Sequence, residues 1–395
     1  MISVNEAITK IQLNTELLAS VKIPLASASG LVLAEDLYSA CSVPNFNQSA
    51  MDGYAFRYED LVQSKQFHIK YEIAAGDSNI EFIPKQHAVR IFTGAPVPQE
   101  LDTVVMQEKV ETRENEIIIL DQDIQKGSNV RLAGAEIKKA DLALAKGCYL
   151  SPAAVGFLAA TGTNEVLVYP KPAVHIIVTG KELIKPGQPL GEGQVYETNS
   201  LTLKSALNQL HINSITVDFI GDDLHETINS ISNALTTSDL ILLTGGVSTG
   251  DYDFVVEAAN VCGVKQLFHK VKQRPGKPLY AGTKENKIVF GLPGNPASVL
   301  TCFYNYVITA IECMTGQKNL VQHKWLPLSN AFNKKVKLTQ FLKAVYNDQQ
   351  VSPLPAQESF RLSSFSIANC LIVLPEEKLD FMEGEMVETL VLPYL

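Results

Sequence analysis

Little in this chain points to a metal finger, a secreted scaffold or a nucleic-acid binder. Its six cysteines (Cys41, Cys148, Cys262, Cys302, Cys313 and Cys370) stand far apart, with no C-x-x-C pair. That spacing excludes a zinc knuckle and a dense disulfide framework, and it predicts free thiols in a reducing compartment. Basic residues are the minority, 33 Lys and Arg against 42 Asp and Glu, for a net charge of −9. Without an excess of cations the chain has no general affinity for a phosphate backbone, so any anionic ligand must be held locally. A basic, apolar leader is lacking too. Ser3-Val4-Asn5-Glu6 reads instead as a capping box opening a helix, with Ala7, Ile8 and Ile11 at helical spacing. The longest apolar stretch, Val299 to Met314, is broken by Asn305, Thr309 and Glu312 and reads as too short and too polar to span a bilayer. These absences predict a cytoplasmic protein with no membrane and no nucleic-acid partner.

What is present is enough apolar sequence for several cores: 395 residues, 46% hydrophobic and 19% charged. A chain this long is ordinarily divided among domains. Residues 1–44 and 128–172 read together as an elongated N-terminal linker domain, in which Pro44 and Asn45 mark the first break and Pro170 and Pro172 the last. Residues 45–127, with short β-type runs such as Thr103-Val104-Val105-Met106, read as an inserted β-rich domain. From 173 to 322 the rhythm becomes strand then helix. Continuous apolar runs at Val174–Val178, Leu240–Leu243 and Ile288–Phe290 suit buried parallel strands, and Leu224, Ile228, Ile231 and Leu235 share one helical face. This is the pattern of a three-layer α/β domain with a mostly parallel sheet. Residues 323–395 return to alternating runs and predict a C-terminal β-barrel-like domain.

In such a sheet, ligands bind beyond the carboxyl ends of the strands, where loops diverge and helix N-termini point inward. Four predicted strands end in unusual loops. One carries Gly180, Lys181 and Glu182, and a second carries Gly221 and Asp222. The third is rich in glycine and acid: Gly245, Gly246, Ser248, Gly250 and Asp253. The fourth runs Pro293-Gly294-Asn295-Pro296 to Ser298. The Gly245-Gly246 turn lets backbone N–H groups approach an anion, and Asn295-Pro296 reads as an N-cap followed by Pro at the first helical position. Glu182, Asp222 and Asp253 offer oxygen ligands for a hard divalent cation, although each also fits a helix cap or first turn. The tight turn Arg274-Pro275-Gly276-Lys277 sets two cations side by side and suits an oxyanion. In the N-terminal half, Asp52 precedes Gly53 in a polar loop, and Thr93 sits in a Gly/Pro turn. Read alone, each is a turn.

Taken together, these segments resemble the molybdopterin molybdenumtransferase family, the bacterial MoeA proteins and the related E domain of gephyrin. The resembling motifs are Ser49-Ala50-Met51-Asp52-Gly53-Tyr54-Ala55, Thr93-Gly94-Ala95-Pro96, Asp102–Glu108, Asn129-Val130-Arg131, Thr179-Gly180-x-Glu182-Leu183, Gly245–Asp253, Pro275-Gly276-Lys277-Pro278, Leu292-Pro293-Gly294-Asn295-Pro296 and Ser363–Asn369. They occur in order along essentially the whole chain. The resemblance implies an elongated homodimer of four-domain subunits. It implies a site in which Asp52, Thr93 and Arg131 of one subunit face Glu182, Asp222, Asp253, Arg274 and Lys277 of the other. The substrates implied are adenylylated molybdopterin, handed over by a molybdopterin adenylyltransferase, and molybdate; Mg2+ or another divalent cation assists, and AMP is released. Gly245, Gly246, Ser248, Gly250, Pro293, Gly294, Asn295, Ser298 and Ser359 are then the residues that hold the pterin nucleotide.

The chain departs from the family pattern at Lys181, where Asp is usual, at Arg274 for Lys, and at Ala133 and Ala135 after Asn-Val-Arg, although Glu136 keeps one acid. Two other readings stand beside the transferase. A non-catalytic pterin-binding scaffold is mildly favoured by Lys181, and a molybdopterin adenylyltransferase would use a related α/β domain. Asp52, Asp253 and Lys277 speak against the scaffold, and the motifs at Asp52, Thr93 and Ser363 fit the transferase better than the adenylyltransferase.

Overall fold

The capping box opens the first helix, α1 (Val4–Asn14): Ser3 Oγ accepts from the Glu6 backbone N–H at 3.2 Å and the Glu6 carboxylate accepts from Ser3 N at 2.7 Å. The computed structural model describes all residues except 79–80, 247–253, 348 and 394–395. The chain divides into two units, one of residues 1–21, 30–32 and 168–395, the other of 22–29 and 33–167.

The first unit is built on a mixed six-stranded sheet. In chain order its elements are β1 (Val174–Thr179), α2 (Asn199–Gln209), β2 (Ile215–Ile220), α3 (Leu224–Thr237), β3 (Leu240–Thr244), α4 (Val255–Val261), β4 (Lys265–His269), β5 (Tyr280–Lys284) and β6 (Lys287–Leu292). The spatial order is β2-β1-β3-β6-β5-β4; the first four strands are parallel, and β5 runs antiparallel to both β6 and β4. Strand periodicity decides which core each residue joins. Val174, Ile176 and Val178 of β1, with Leu240 and Leu242 of β3, pack with Leu203 and Leu207 of α2 and with Ile11 of α1. Ile177, Ile241 and Leu243 face the other way, onto Ile231 and Leu235 of α3 and Ala258 of α4. Both faces of the sheet are covered, which is why these strands read as continuous apolar runs. Each such buried Leu or Ile contributes roughly 1.5–3 kcal/mol.

After β6 the chain forms α5 (Pro296–Cys302), a π turn at Phe303–Val307 and α6 (Ile308–Thr315). This run corrects one expectation from the sequence. At 20 residues it is long and apolar enough to cross a bilayer, because Asn305, Thr309 and Glu312 fall within one helical run that continues through the π turn; 78% of its most apolar window is nevertheless buried, so its surface serves the core. Four strands beyond it and one before it form a sheet in the order Gln273–Arg274, Thr339–Tyr346, Cys370–Leu374, Met386–Val391 and Gln322–Pro327, with Val351–Pro353 added to Thr339–Tyr346 and a bridge from Leu328 to Val351. The pairing of Gln273 with Thr339 and Arg274 with Gln340 fixes the basic turn to this sheet.

The second unit also carries a mixed six-stranded sheet, ordered Thr103–Met106, Gly53–Phe56, His87–Ile91, Gln66–Ile73, Glu116–Ile119, Val110–Arg113. One face packs Ala55, Val89, Ile91 and Val104, the other Tyr54, Phe56, Ala88 and Val105. This alternation is that of strands buried on both sides.

Candidate functional site

Strand β1 has β2 on one side and β3 on the other, so the chains leaving β1 and β3 part at that point, the usual place for a ligand in an open α/β sheet. Thr179 closes β1, and its hydroxyl donates to Thr244 O at 3.3 Å. Gly245 follows with φ +90°, and a Cβ there would lie 2.7 Å from Thr179 Oγ1 and 2.9 Å from Thr179 O. Neither the conformation nor the space admits a side chain. Gly245 N donates to Leu292 O at 3.3 Å, and a Cβ on Gly294 would meet the Gly245 Cα at 4.0 Å. The ends of β1, β3 and β6 therefore touch through glycine backbone.

The end of β2 joins them through Asp222, whose Oδ2 accepts the Lys181 backbone N–H at 3.2 Å. The N-cap of α3 is the next residue, Asp223, which accepts from Glu226 N at 3.0 Å. Asp222 is thus not consumed as a cap. With Thr179, Thr227 and Gly246 it lines a narrow recess. Glu182 is exposed, with its carboxylate turned back over Gly180. Asp253, Ser248 and Gly250 lie outside the described residues. Among the described residues no group of three His, Cys, Asp or Glu side chains is placed to hold a metal ion.

The larger feature is a cavity of about 830 Å³ lined by Arg274, Lys277, Pro293, Asn295, Ser298 and Ser359, with apolar wall from Phe341 and Phe360. Arg274 and Lys277 are exposed, and among the described residues neither pairs with an acid. Their turn is shaped from beneath. Gln273 is fully buried; its Nε2 donates to Pro275 O at 3.0 Å and Gly276 O at 3.1 Å, and its Oε1 accepts from the Tyr306 hydroxyl. Gly276 has φ +82°, and a Cβ there would stand 2.7 Å from Cys302 Sγ. Burial pushes the Cys302 thiol up to about 12, so it is an inert packing group and no nucleophile. Asn295 is the N-cap, with Pro296 at the first helical position as the sequence reads; its side chain makes no cap bond, and Nδ2 donates to Ser359 Oγ at 3.0 Å instead.

Two contributors to this cavity escape a reading of the sequence. Gln273 is one. Lys343 is the other: only 3% exposed, its Nζ donates to Ala356 O at 2.7 Å, Arg361 O at 2.9 Å and Glu358 O at 3.3 Å. It staples the segment that carries Ser359. A lysine in an alternating strand gives no sign of burial, because burial here depends on carbonyls 13 to 18 residues away.

The second unit holds its own constellation. Ser49 is fully buried, and it ties two loops together: its N–H donates to Ala95 O at 3.0 Å and its carbonyl accepts from Gly94 N at 2.8 Å. This brings Thr93 onto Asp52, whose Oδ1 accepts the Thr93 N–H at 2.7 Å and its hydroxyl at 2.8 Å. Those two bonds, with help from Arg90, hold the Asp52 carboxyl below its ordinary value. Gly53 has no room for a side chain, since a Cβ would fall 1.9 Å from Val105 O. Arg131 pairs with Gln48 across a short ladder and lines a separate cavity of about 770 Å³ with Pro44, Gln48 and Glu136.

Comparison with known proteins gives three family matches: the MoeA N-terminal region (domain I and II) over residues 2–162, a probable molybdopterin binding domain over 175–312, and the MoeA C-terminal region (domain IV) over 326–392. A molybdopterin molybdenumtransferase from Haemophilus influenzae is 36% identical over 370 residues, 92% of this chain and 91% of the relative. One from Staphylococcus epidermidis is 32% identical over 98% of this chain and 95% of its own length. The solved structure of a molybdopterin biosynthesis MoeA protein from Pyrococcus horikoshii aligns with a TM-score of 0.83 at 28% identity, covering 99% of this chain and all of that one.

Proposed function

The chain belongs to the MoeA family, and from that premise we propose that it is a molybdopterin molybdenumtransferase, which inserts molybdate into adenylylated molybdopterin and releases AMP. The observation that carries this reading is the pair of exposed cations, Arg274 and Lys277, with no acid partner among the described residues, on one cavity with Asn295, Ser298 and Ser359. Molybdate is a tetrahedral dianion and the nucleotide carries phosphate, so both call for cations and N–H or O–H donors. Breaking the phosphoanhydride P–O bond builds negative charge on the departing AMP oxygen, and fixed cations stabilise that charge as it develops. No protein nucleophile is required.

In this reading Gly245, Gly246 and Gly294 let the nucleotide approach backbone closely, joined by Ser248, Gly250 and Pro293, while Arg131 adds a further cation. Glu182 and Asp222 supply carboxylate oxygens of the kind Mg2+ or another divalent cation takes, and Asp253 completes the proposed set. Such a cation, when bound, would neutralise charge on the leaving phosphate. Asp52, with Thr93 fixing its carboxylate, orients water or the metal's solvent shell. We further propose that the enzyme is a cytoplasmic homodimer with four domains at the limits given above. In it, the Asp52, Thr93 and Arg131 side of one subunit serves the α/β site of its partner, and a molybdopterin adenylyltransferase hands over the substrate.

The test is direct. Purified protein is supplied with adenylylated molybdopterin, magnesium and molybdate, and AMP and active cofactor are measured. Molybdate-dependent release of AMP is expected; release that ignores molybdate, or none, overturns the reading.

A further inference from the structure

Helix α2 begins at a polar stretch, Glu197-Thr198-Asn199-Ser200, that the reaction proposed above does not use. Glu197 is only 3% exposed. Its carboxylate accepts the Ser200 N–H at 2.7 Å and the Ser200 hydroxyl at 2.6 Å, and its own N–H donates to Ile184 O at 2.8 Å. The first turn of α2 is thereby locked. Asn199, the first residue of that turn, is 9% exposed, and its Nδ2 donates to Gly294 O at 2.9 Å. Its Oδ1 is buried with no partner among the described residues. Among the described residues, the Gly294 bond is the one that orients the carboxamide.

Gly294 is the hinge between the two halves of the site. On one side it faces Gly245 at the end of β3, whose Cα would lie 4.0 Å from a Cβ on Gly294; on the other it leads into Asn295, which lines the cavity with Arg274 and Lys277. Gly294 is itself exposed and has no Cβ to pack, so side-chain contacts of its own cannot set its position. We infer that Asn199 is a positioning residue for the anion cavity, acting through the carbonyl of Gly294 to set the Asn295 turn against the two cations. This inference rests on the anion-binding reading of that cavity. An apolar residue of similar size would fill the space without the cost of an unmatched buried acceptor, so the amide is explained by the single bond it makes.

The experiment uses the full-length protein with Asn199→Ala and Asn199→Leu, the second filling the space but deleting the donor and adding no charge. In steady-state AMP release, both variants should raise KM for adenylylated molybdopterin about tenfold while kcat stays within about threefold, the signature of lost ground-state binding. Their melting temperatures should stay within about 3 °C of the unmodified protein. Calorimetric binding of inorganic phosphate to the protein without substrates should weaken in the same two variants. Unchanged KM and unchanged phosphate binding overturn the inference. So does a large drop in melting temperature with KM and kcat affected alike, which would make Asn199 a folding residue only. If the unmodified protein shows no molybdate-dependent AMP release, the transferase reading fails, and phosphate binding alone then decides whether Asn199 positions the cavity.

Discussion

The carboxylate of Asp52 takes both the backbone N–H and the hydroxyl of Thr93, at 2.7 and 2.8 Å through the same oxygen. Hydrogen bonds to the charged form are what hold this acid below its ordinary pKa of 3.8. The sign follows. The bonds stabilise the fold above the unfolded value, and that contribution is lost as pH falls through the depressed folded one. Thr93→Val removes the hydroxyl and keeps the N–H. It should raise the Asp52 pKa and move the acid limb of the pH–rate profile upward. Titration of the Asp52 carboxyl by NMR checks this, and a pKa that does not rise removes the hydroxyl from the account.

Gly276 is predicted to tolerate no side chain. Its φ of +82° is costly for any other residue, and a methyl there would meet Cys302 Sγ at 2.7 Å and Gln273 Nε2 at 2.9 Å. Both neighbours are buried and cannot swing away. Gly276→Ala should cost about 1–3 kcal/mol, read as a lower urea midpoint at an unaltered m-value. It should also weaken anion binding, because Arg274 and Lys277 flank the displaced turn. A midpoint equal to that of the unmodified protein would mean that the turn is looser than these distances require.

Lys343 makes the sharpest stability test. Lys343→Met keeps the length of the side chain but removes the donor to three carbonyls; Ala356 O keeps the Ser364 hydroxyl and Glu358 O the Arg361 N–H, while Arg361 O loses the bond that ties it to the strand. Losing these charge-assisted bonds should cost roughly 1.5–3 kcal/mol in all, since two of the carbonyls keep another donor. Limited proteolysis within 356–361 should accelerate. Burial also lowers the Lys343 pKa below 10.5, so between the folded value and 10.5 the unfolded chain binds more protons. The unmodified protein should therefore gain stability with rising pH in that window, and the variant should not. Equal pH dependence in the two proteins would show that Lys343 stays fully hydrated.

Legibility in the sequence divides along the range of the interactions. β1 and β3 can be read because burial on both faces leaves an unbroken apolar run, and the Ser3 capping box can be read because its partners are three residues apart. The glycines at 245 and 276 can be read as turns, yet not as positions where Thr179 or Cys302 leaves no room, since those neighbours are 66 and 26 residues away. Asp222 is ambiguous until its neighbour Asp223 proves to be the cap. Gln273, Lys343 and Asn199 look like ordinary surface polar residues. Lys343 and Asn199 are buried with a distant backbone carbonyl that takes their donor, and Gln273 with the Tyr306 hydroxyl 33 residues on, so no local pattern encodes any of the three. The helix from Pro296 to Thr315 shows the converse: Asn305 falls in its π turn and Thr309 and Glu312 are half-buried, yet the helical run does not end at any of them.

The proposed division of labour between subunits yields a prediction that no single-chain defect can imitate. Asp52→Asn and Lys277→Gln each leave the backbone ties around them intact, since Asp52 is exposed and Lys277 is unpaired among the described residues. Each variant alone should lose most of its molybdate-dependent AMP release, by about 100-fold or more if the charge acts on the transition state. If the two residues serve one site across a dimer, co-purified mixed dimers contain one site with both residues intact and one with neither. Mixing should then restore activity towards half that of the unmodified dimer per mixed dimer, with differently tagged chains used to isolate them. If Asp52 and Lys277 act within one chain, every site in the mixed dimer carries one defect and no activity returns. That outcome would retain the anion cavity but remove the partner subunit from the chemistry.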